Sequence, residues 1–116
     1  MKLVNLTPHT VSYVSPSGSE IVFEPVGLAR VEVGEVHADR IGIDNSLSDT
    51  GRDVAVLIRE TFGDVTGLPA PVFGTLYIVS RMVMAAAKGR SDLVAPARLI
   101  RISGRIVGCS AFAVSS

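Results

Sequence analysis

The sequence predicts an α+β fold: a mostly antiparallel β-sheet, one short buried helix at about residues 81–88 and a C-terminal β-hairpin, in a single domain spanning residues 1–116. Three observations carry this. The 116 residues are 47% hydrophobic but include four Phe, two Tyr and no Trp, so the core is built from Val, Ile, Leu and Ala, a composition suited to sheet. The apolar residues fall in short runs broken by Gly, Pro, Ser and Asn. The one alanine-rich stretch, Arg81 to Lys88, follows a serine that can cap a helix and precedes a glycine that can end one.

In order along the chain, Lys2 to Leu6 and His9 to Val14 read as strands around the turn-forming Thr7-Pro8. Ser15-Pro16-Ser17-Gly18 separates Val11-Ser12-Tyr13-Val14 from Ile21-Val22-Phe23 as a hairpin with a longer loop. Ala29-Arg30-Val31-Glu32-Val33 alternates apolar and polar, the pattern of a half-buried strand. Together these predict an antiparallel sheet with one solvated face. Asp44 to Arg52 is polar and aperiodic, a surface loop that either stays open or closes over a site. Val54 to Ile58 is a further strand, and Gly63, Gly67, Pro69 and Pro71 form a stiff connection to the strand Thr75 to Val79. The helix has almost no polar face, which predicts burial against the sheet or a partner subunit. Leu99-Ile100-Arg101-Ile102 and Arg105-Ile106-Val107-Gly108-Cys109 then flank Ser103-Gly104 as the arms of a hairpin.

Eleven basic and eleven acidic residues balance, which argues against a protein that coats DNA or RNA. The bases are unevenly placed: Arg81, Lys88, Arg90, Arg98, Arg101 and Arg105 share a segment whose single acid is Asp92. A locally basic region in a neutral chain points to a small anionic ligand, or else to solvated charge on strand edges. So much apolar material in so small a chain also predicts buried surface between subunits, hence a homo-oligomer. A single cysteine, Cys109, gives no intramolecular disulfide and reads as packing. The opening residues lack a signal-like apolar run, and the longest such run, Met82 to Ala87, is far below membrane-spanning length, so a cytoplasmic chain without membrane contact is expected.

Catalytic and metal-binding signatures are weak. His9 and His37 are far apart, and no Cys-x-x-Cys, phosphate-binding glycine loop or Gly-x-Ser-x-Gly occurs. Asp49, Asp53, Glu60 and Asp92 supply carboxylates without a fixed pairing. The expectation is a non-enzyme with no metal and no cofactor. The candidate ligand residues are Ser80 and Arg81 at the helix start, where Arg81 either holds a phosphate or pairs with Asp92 or Glu60. Arg90, and Arg101 with Arg105 near each other around the hairpin end, complete the basic set.

Asn5-Leu6-Thr7-Pro8-His9, Gly67-Leu68-Pro69, Tyr77-Ile78-Val79-Ser80, Arg90-x-Asp92-Leu93 and Gly104-Arg105-Ile106-Val107-Gly108-Cys109 resemble a set of small proteins encoded by bacteriophages, prophages and bacteria. The chain is also similar, more loosely, to the phage anti-Thoeris sponges that sequester cyclic ADP-ribose signals. That second resemblance implies a non-catalytic homo-oligomer in the host bacterial cytoplasm that binds a nucleotide-derived messenger. Arg101 and Arg105 would neutralise its phosphates, and Phe73 would either stack on its base or lie in the core. A virion-associated or assembly protein acting through subunit contacts is the alternative expectation, and a small nucleotide-processing enzyme a further one.

Overall fold

The structure is a computed structural model describing residues 1–44 and 52–115. Its strands are β1 (Lys2–Asn5), β2 (Val11–Val14), β3 (Glu20–Phe23), β4 (Arg30–Asp44), β5 (Arg52–Thr66), β6 (Thr75–Ile78), β7 (Leu93–Ile102) and β8 (Arg105–Val114), with one helix, α1 (Arg81–Ala86). The class is α+β, as predicted. Packing divides the chain into two compact units, Met1–Val31 with Asp64–Ser116, and Glu32–Gly63.

The first unit is built on a six-stranded sheet in the order β1-β6-β7-β8-β2-β3. It is mixed, not mostly antiparallel: β1/β6, β6/β7 and β2/β8 run parallel, and β2/β3 and β7/β8 antiparallel. The expected antiparallel neighbour of β1 in the first half of the chain is replaced by β6, because the chain turns away after Asn5 instead of folding back as a hairpin.

The sheet curls until its edges meet. Asn5 bridges to Pro25 beyond β3, and the Val26 N–H donates to the Asn5 carbonyl at 3.0 Å. Inside the curl every strand contributes to one apolar cluster: Val11, Ile78, Val94 and Cys109 are buried, with Leu3, Tyr13, Phe23, Leu76 and Phe112 packed on them. Phe112 stacks on Tyr13 at 5.3 Å between ring centroids and meets Phe23 edge-on at 6.3 Å. On the outer face Leu6, Ala29, Tyr77, Val79 and Leu93 form a second cluster, capped by Val83 of α1. β6 and the start of β7 are apolar on both sides because both sides are packed there, and each fully buried Val, Leu or Ile contributes about 1.5–3 kcal/mol.

The helix is shorter and less buried than expected. It ends at Ala86 because Ala87 leaves helical geometry at φ −88°, ψ 66°. Gly89 then turns the chain through a positive φ of 83°. Val83 is buried, while Arg81, Met82 and Ala85 face solvent. The C-terminal hairpin matches its prediction, with Ile102 opposite Arg105 and Arg101 opposite Ile106. Ser103 and Gly104 have φ of 52° and 78°, the doubly left-handed turn that follows strand twist.

The second unit is a two-stranded ribbon of β4 and β5, far longer than the short strands expected around Val33 and Val54. The strands are antiparallel: Gly34 lies against Thr61 and Gly63 against Glu32. Of the predicted loop from Asp44 to Arg52, the two end residues belong to β4 and β5, and residues 45–51 lie outside the described residues.

Candidate functional site

The residues singled out from the sequence do not converge. Ser80 is the N-cap of α1, and its Oγ accepts from the Val83 N–H at 3.2 Å, so its oxygen already serves the backbone. Arg90 is committed as well. Its Nε and Nη2 donate to the two Asp92 carboxylate oxygens at 2.8 Å each, and Nη2 also donates to the Pro69 carbonyl at 2.9 Å. This fork fastens the proline-rich connection to the start of β7. Hydrogen bonding from Arg90 holds the Asp92 carboxyl below its ordinary range, against a smaller upward push from burial. Asp92 therefore pairs with Arg90, and Arg81 stands exposed at the start of a six-residue helix.

Arg101 and Arg105 do not lie side by side. Cross-strand partners share a face of a ladder, so Arg101 shares one face with Ile106, and Arg105 shares the other with Ile102. Both arginines are exposed, and neither has an ion-pair partner among the described residues. Phe73 is wholly exposed at 106%, which removes the core reading. Cys109 is buried, and desolvation pushes its thiol up, so it stays protonated at neutral pH. Among the described residues no group of three His, Cys, Asp or Glu is placed to hold a metal ion, and no helix is long and apolar enough to cross a membrane.

Two recesses open in the first unit. One, of about 160 Å³, lies against β7 and β8 and is lined by Leu99, Ile106, Val107, Cys109 and Val11 with Thr10 and Ser12. The other, of about 440 Å³, sits between β1 and β3 and is lined by Leu3, Val4, Val22, Phe23 and Val26 with Lys2 and Glu24. None of the candidate ligand residues lines either recess.

Two features went unread in the sequence. Asn5 is 1% exposed, and its amide is fully used. Nδ2 donates to the carbonyls of His9 at 2.8 Å and Phe23 at 2.9 Å, and Oδ1 accepts from the Thr7 N–H at 2.9 Å and Thr7 Oγ1 at 2.7 Å. The Asn-x-Thr spacing is the signal that was available, since an Asx turn takes its N–H from two residues on. The opening Asn5 to His9 motif thus ties β1 to β3.

The second is the ribbon. Its pairing puts odd positions of β4 and even positions of β5 on one face. That face carries Val33, Ile41, Ile43, Val54, Val56, Ile58 and Phe62, each at least 43% exposed. On the other face stand Val36 and Leu57, with Gly34, Ala38 and Ala55. Period-two alternation in Val54-x-Val56-x-Ile58-x-Glu60-x-Phe62 was the signal for it.

Comparison of the chain with known protein families, with curated proteins and with solved structures finds no match.

Proposed function

We propose that this chain is a non-catalytic assembly protein that works through contacts between its own copies; with the family resemblance, a phage-encoded one. The observation that carries this is the apolar face of the β4–β5 ribbon. A two-stranded ribbon is marginal in water unless one face is packed on something, and this one exposes seven large aliphatic or aromatic side chains on a single face. Phe73, Val72 and the apolar residues of the β7–β8 tip add to the exposed surface. Such surfaces are rare on proteins that remain monomers. Sedimentation velocity across a dilution series tests the reading: the expected species are multiples of the 12.2 kDa chain. A single monomeric boundary at every concentration rules it out.

A second reading is sequestration of a nucleotide-derived messenger, and one observation favours it. Arg81, Lys88, Arg98, Arg101 and Arg105 all face solvent, while the one acid of their segment, Asp92, is taken by Arg90. Unneutralised cations invite an anion. Because Arg101 and Arg105 point to opposite faces, a phosphate site would have to draw them from different copies. Mixing the protein with cyclic dinucleotides, cyclic trinucleotides and cyclic ADP-ribose isomers, then recovering the bound compound by heat denaturation, decides it. One compound depleted and returned intact supports sequestration; a converted compound supports an enzyme, and no depletion leaves assembly alone.

A further inference from the structure

The chain is neutral as a whole and strongly divided in its parts. Residues 32–63 hold seven acids and three arginines, while residues 81–105 hold six bases and one acid. Three of the ribbon's acids, Glu35, Asp39 and Glu60, share the apolar face, whereas Glu32, Asp44 and Asp53 lie on the other face with Arg40 and Arg59. Continuing the pairing of Gly34 with Thr61 by one residue sets Glu35 directly opposite Glu60, on the face that carries Val33, Phe62 and Ile58. Asp39 and His37 lie on that face as well. Like charges facing each other across a ladder weaken it unless a cation intervenes.

The distal β7–β8 hairpin is the opposite in charge and alike in polarity. Leu99, Ile102, Ile106 and Val107 are 44–61% exposed, and Arg101 and Arg105 stand among them, one on each face. Each face of the tip therefore offers an arginine beside an isoleucine. A guanidinium there can bridge two carboxylates, as a forked donor does, while the aliphatic neighbours cover Val33, Ile58 and Phe62.

Resting on the assembly reading, we propose that the apolar, acidic face of the β4–β5 ribbon of one copy docks on the basic β7–β8 hairpin of a second copy. The contact is head to tail. Two ribbon faces brought together would oppose acids to acids, and two hairpin tips would oppose arginines to arginines, so like-to-like pairing is disfavoured by the same charges that favour the mixed contact. A head-to-tail contact repeats from copy to copy and ends in a ring or continues as a filament.

Charge reversal on each side tests the contact, in the full chain. The variants are Glu35→Lys with Glu60→Lys on the ribbon, and Arg101→Glu with Arg105→Glu on the hairpin, all at exposed positions. Glu35→Gln with Glu60→Gln gives a milder ribbon variant should the lysines prevent folding, and circular dichroism checks each. Each double variant alone is expected to associate at least tenfold more weakly than the parent in sedimentation. An equimolar mixture of the two reversed variants regains association, because the lysine ribbon now meets the glutamate hairpin and the untouched acidic ribbon meets the untouched basic hairpin. A parent that assembles while either variant assembles equally well, or while the mixture stays dissociated, overturns this contact and leaves self-assembly standing. A monomeric parent removes the assembly reading itself.

Discussion

Asn5 shows how one buried amide can organise a fold. Its two donors and its carbonyl oxygen are all satisfied, by His9 and Phe23 carbonyls on one side and by Thr7 on the other. Asn5→Ala strands those partners in a buried seam, and for four bonds at about 0.5–1.5 kcal/mol net each the expected loss is roughly 2–6 kcal/mol. Asn5→Asp is expected to be at least as damaging, since it replaces a donor by an oxygen facing two carbonyls. Urea denaturation measures both; an Asp variant as stable as the parent would refute the latch. Arg90 and Asp92 make a different kind of tie, one that depends on charge. The Asp92 carboxyl titrates lower in the folded chain than in the unfolded one because Arg90 binds its ionised form. Its contribution is therefore present above the ordinary carboxylate value of about 4 and lost as pH falls through the lowered folded value. Asp92→Asn should accordingly melt below the parent at neutral pH, with the two melting temperatures converging toward pH 3; a gap unchanged by acid would mean the tie is steric. Gly67 fixes the same region from the backbone. It has a φ of 85°, and a Cβ there would run into the Leu28 carbonyl.

At the scale of elements, what the sequence revealed depended on whether local chemistry or distant pairing decided the outcome. The Ser103-Gly104 turn, the capped start of α1 and the strands at Ile21 and Thr75 are set by neighbours within a few residues, so they were legible. The parallel pairing of β1 with β6 joins residues more than seventy positions apart, Lys2 with Thr75, and no local pattern encodes it. The ribbon was missed for another reason: glycines at 34, 42 and 63 and charges at 35, 39 and 60 interrupt its alternation. A reader expecting a half-buried strand stops at the first such break. Of the candidate site, the basic hairpin, its register and Ser80 as the helix cap were legible, whereas the commitment of Arg90 to Asp92 and to the Pro69 carbonyl was not, because Asp92 was equally open to Arg81 and a backbone carbonyl leaves no trace in composition. The hairpin turn yields its own prediction. Both central residues have positive φ, and Ser103 is the less suited of the two to that geometry. Asparagine adopts it more readily and Asn-Gly is the favoured pair, so Ser103→Asn is expected to stabilise the chain by about 0.5 kcal/mol. Chemical denaturation reads this as a higher midpoint with unchanged slope; a lower midpoint would mean the serine side chain serves the turn.

At the scale of the whole molecule, neutrality conceals a separation of charge that would steer how copies meet in the proposed contact. Opposite charges on separate parts attract over distances comparable to the Debye length, about 10 Å at 0.1 M salt and about 3 Å at 1 M. Apolar burial responds in the other direction, because excluded salts such as sulfate strengthen it. The two contributions proposed for the ribbon and hairpin contact can therefore be separated by the choice of salt. Sodium chloride raised from about 0.05 to 0.5 M is expected to weaken association through screening. Ammonium sulfate at matched ionic strength is expected to weaken it less, since it screens the arginine and carboxylate pairs while reinforcing contacts of Val33, Ile58 and Phe62 with the aliphatic hairpin. In the Arg101→Glu, Arg105→Glu chain the sodium chloride trend reverses, because screening then relieves repulsion between like charges. Sedimentation of the parent and this variant in both salts reads out all three expectations. Association of the parent that strengthens equally in both salts would assign self-assembly to apolar contact alone and leave the basic segment free for an anionic ligand.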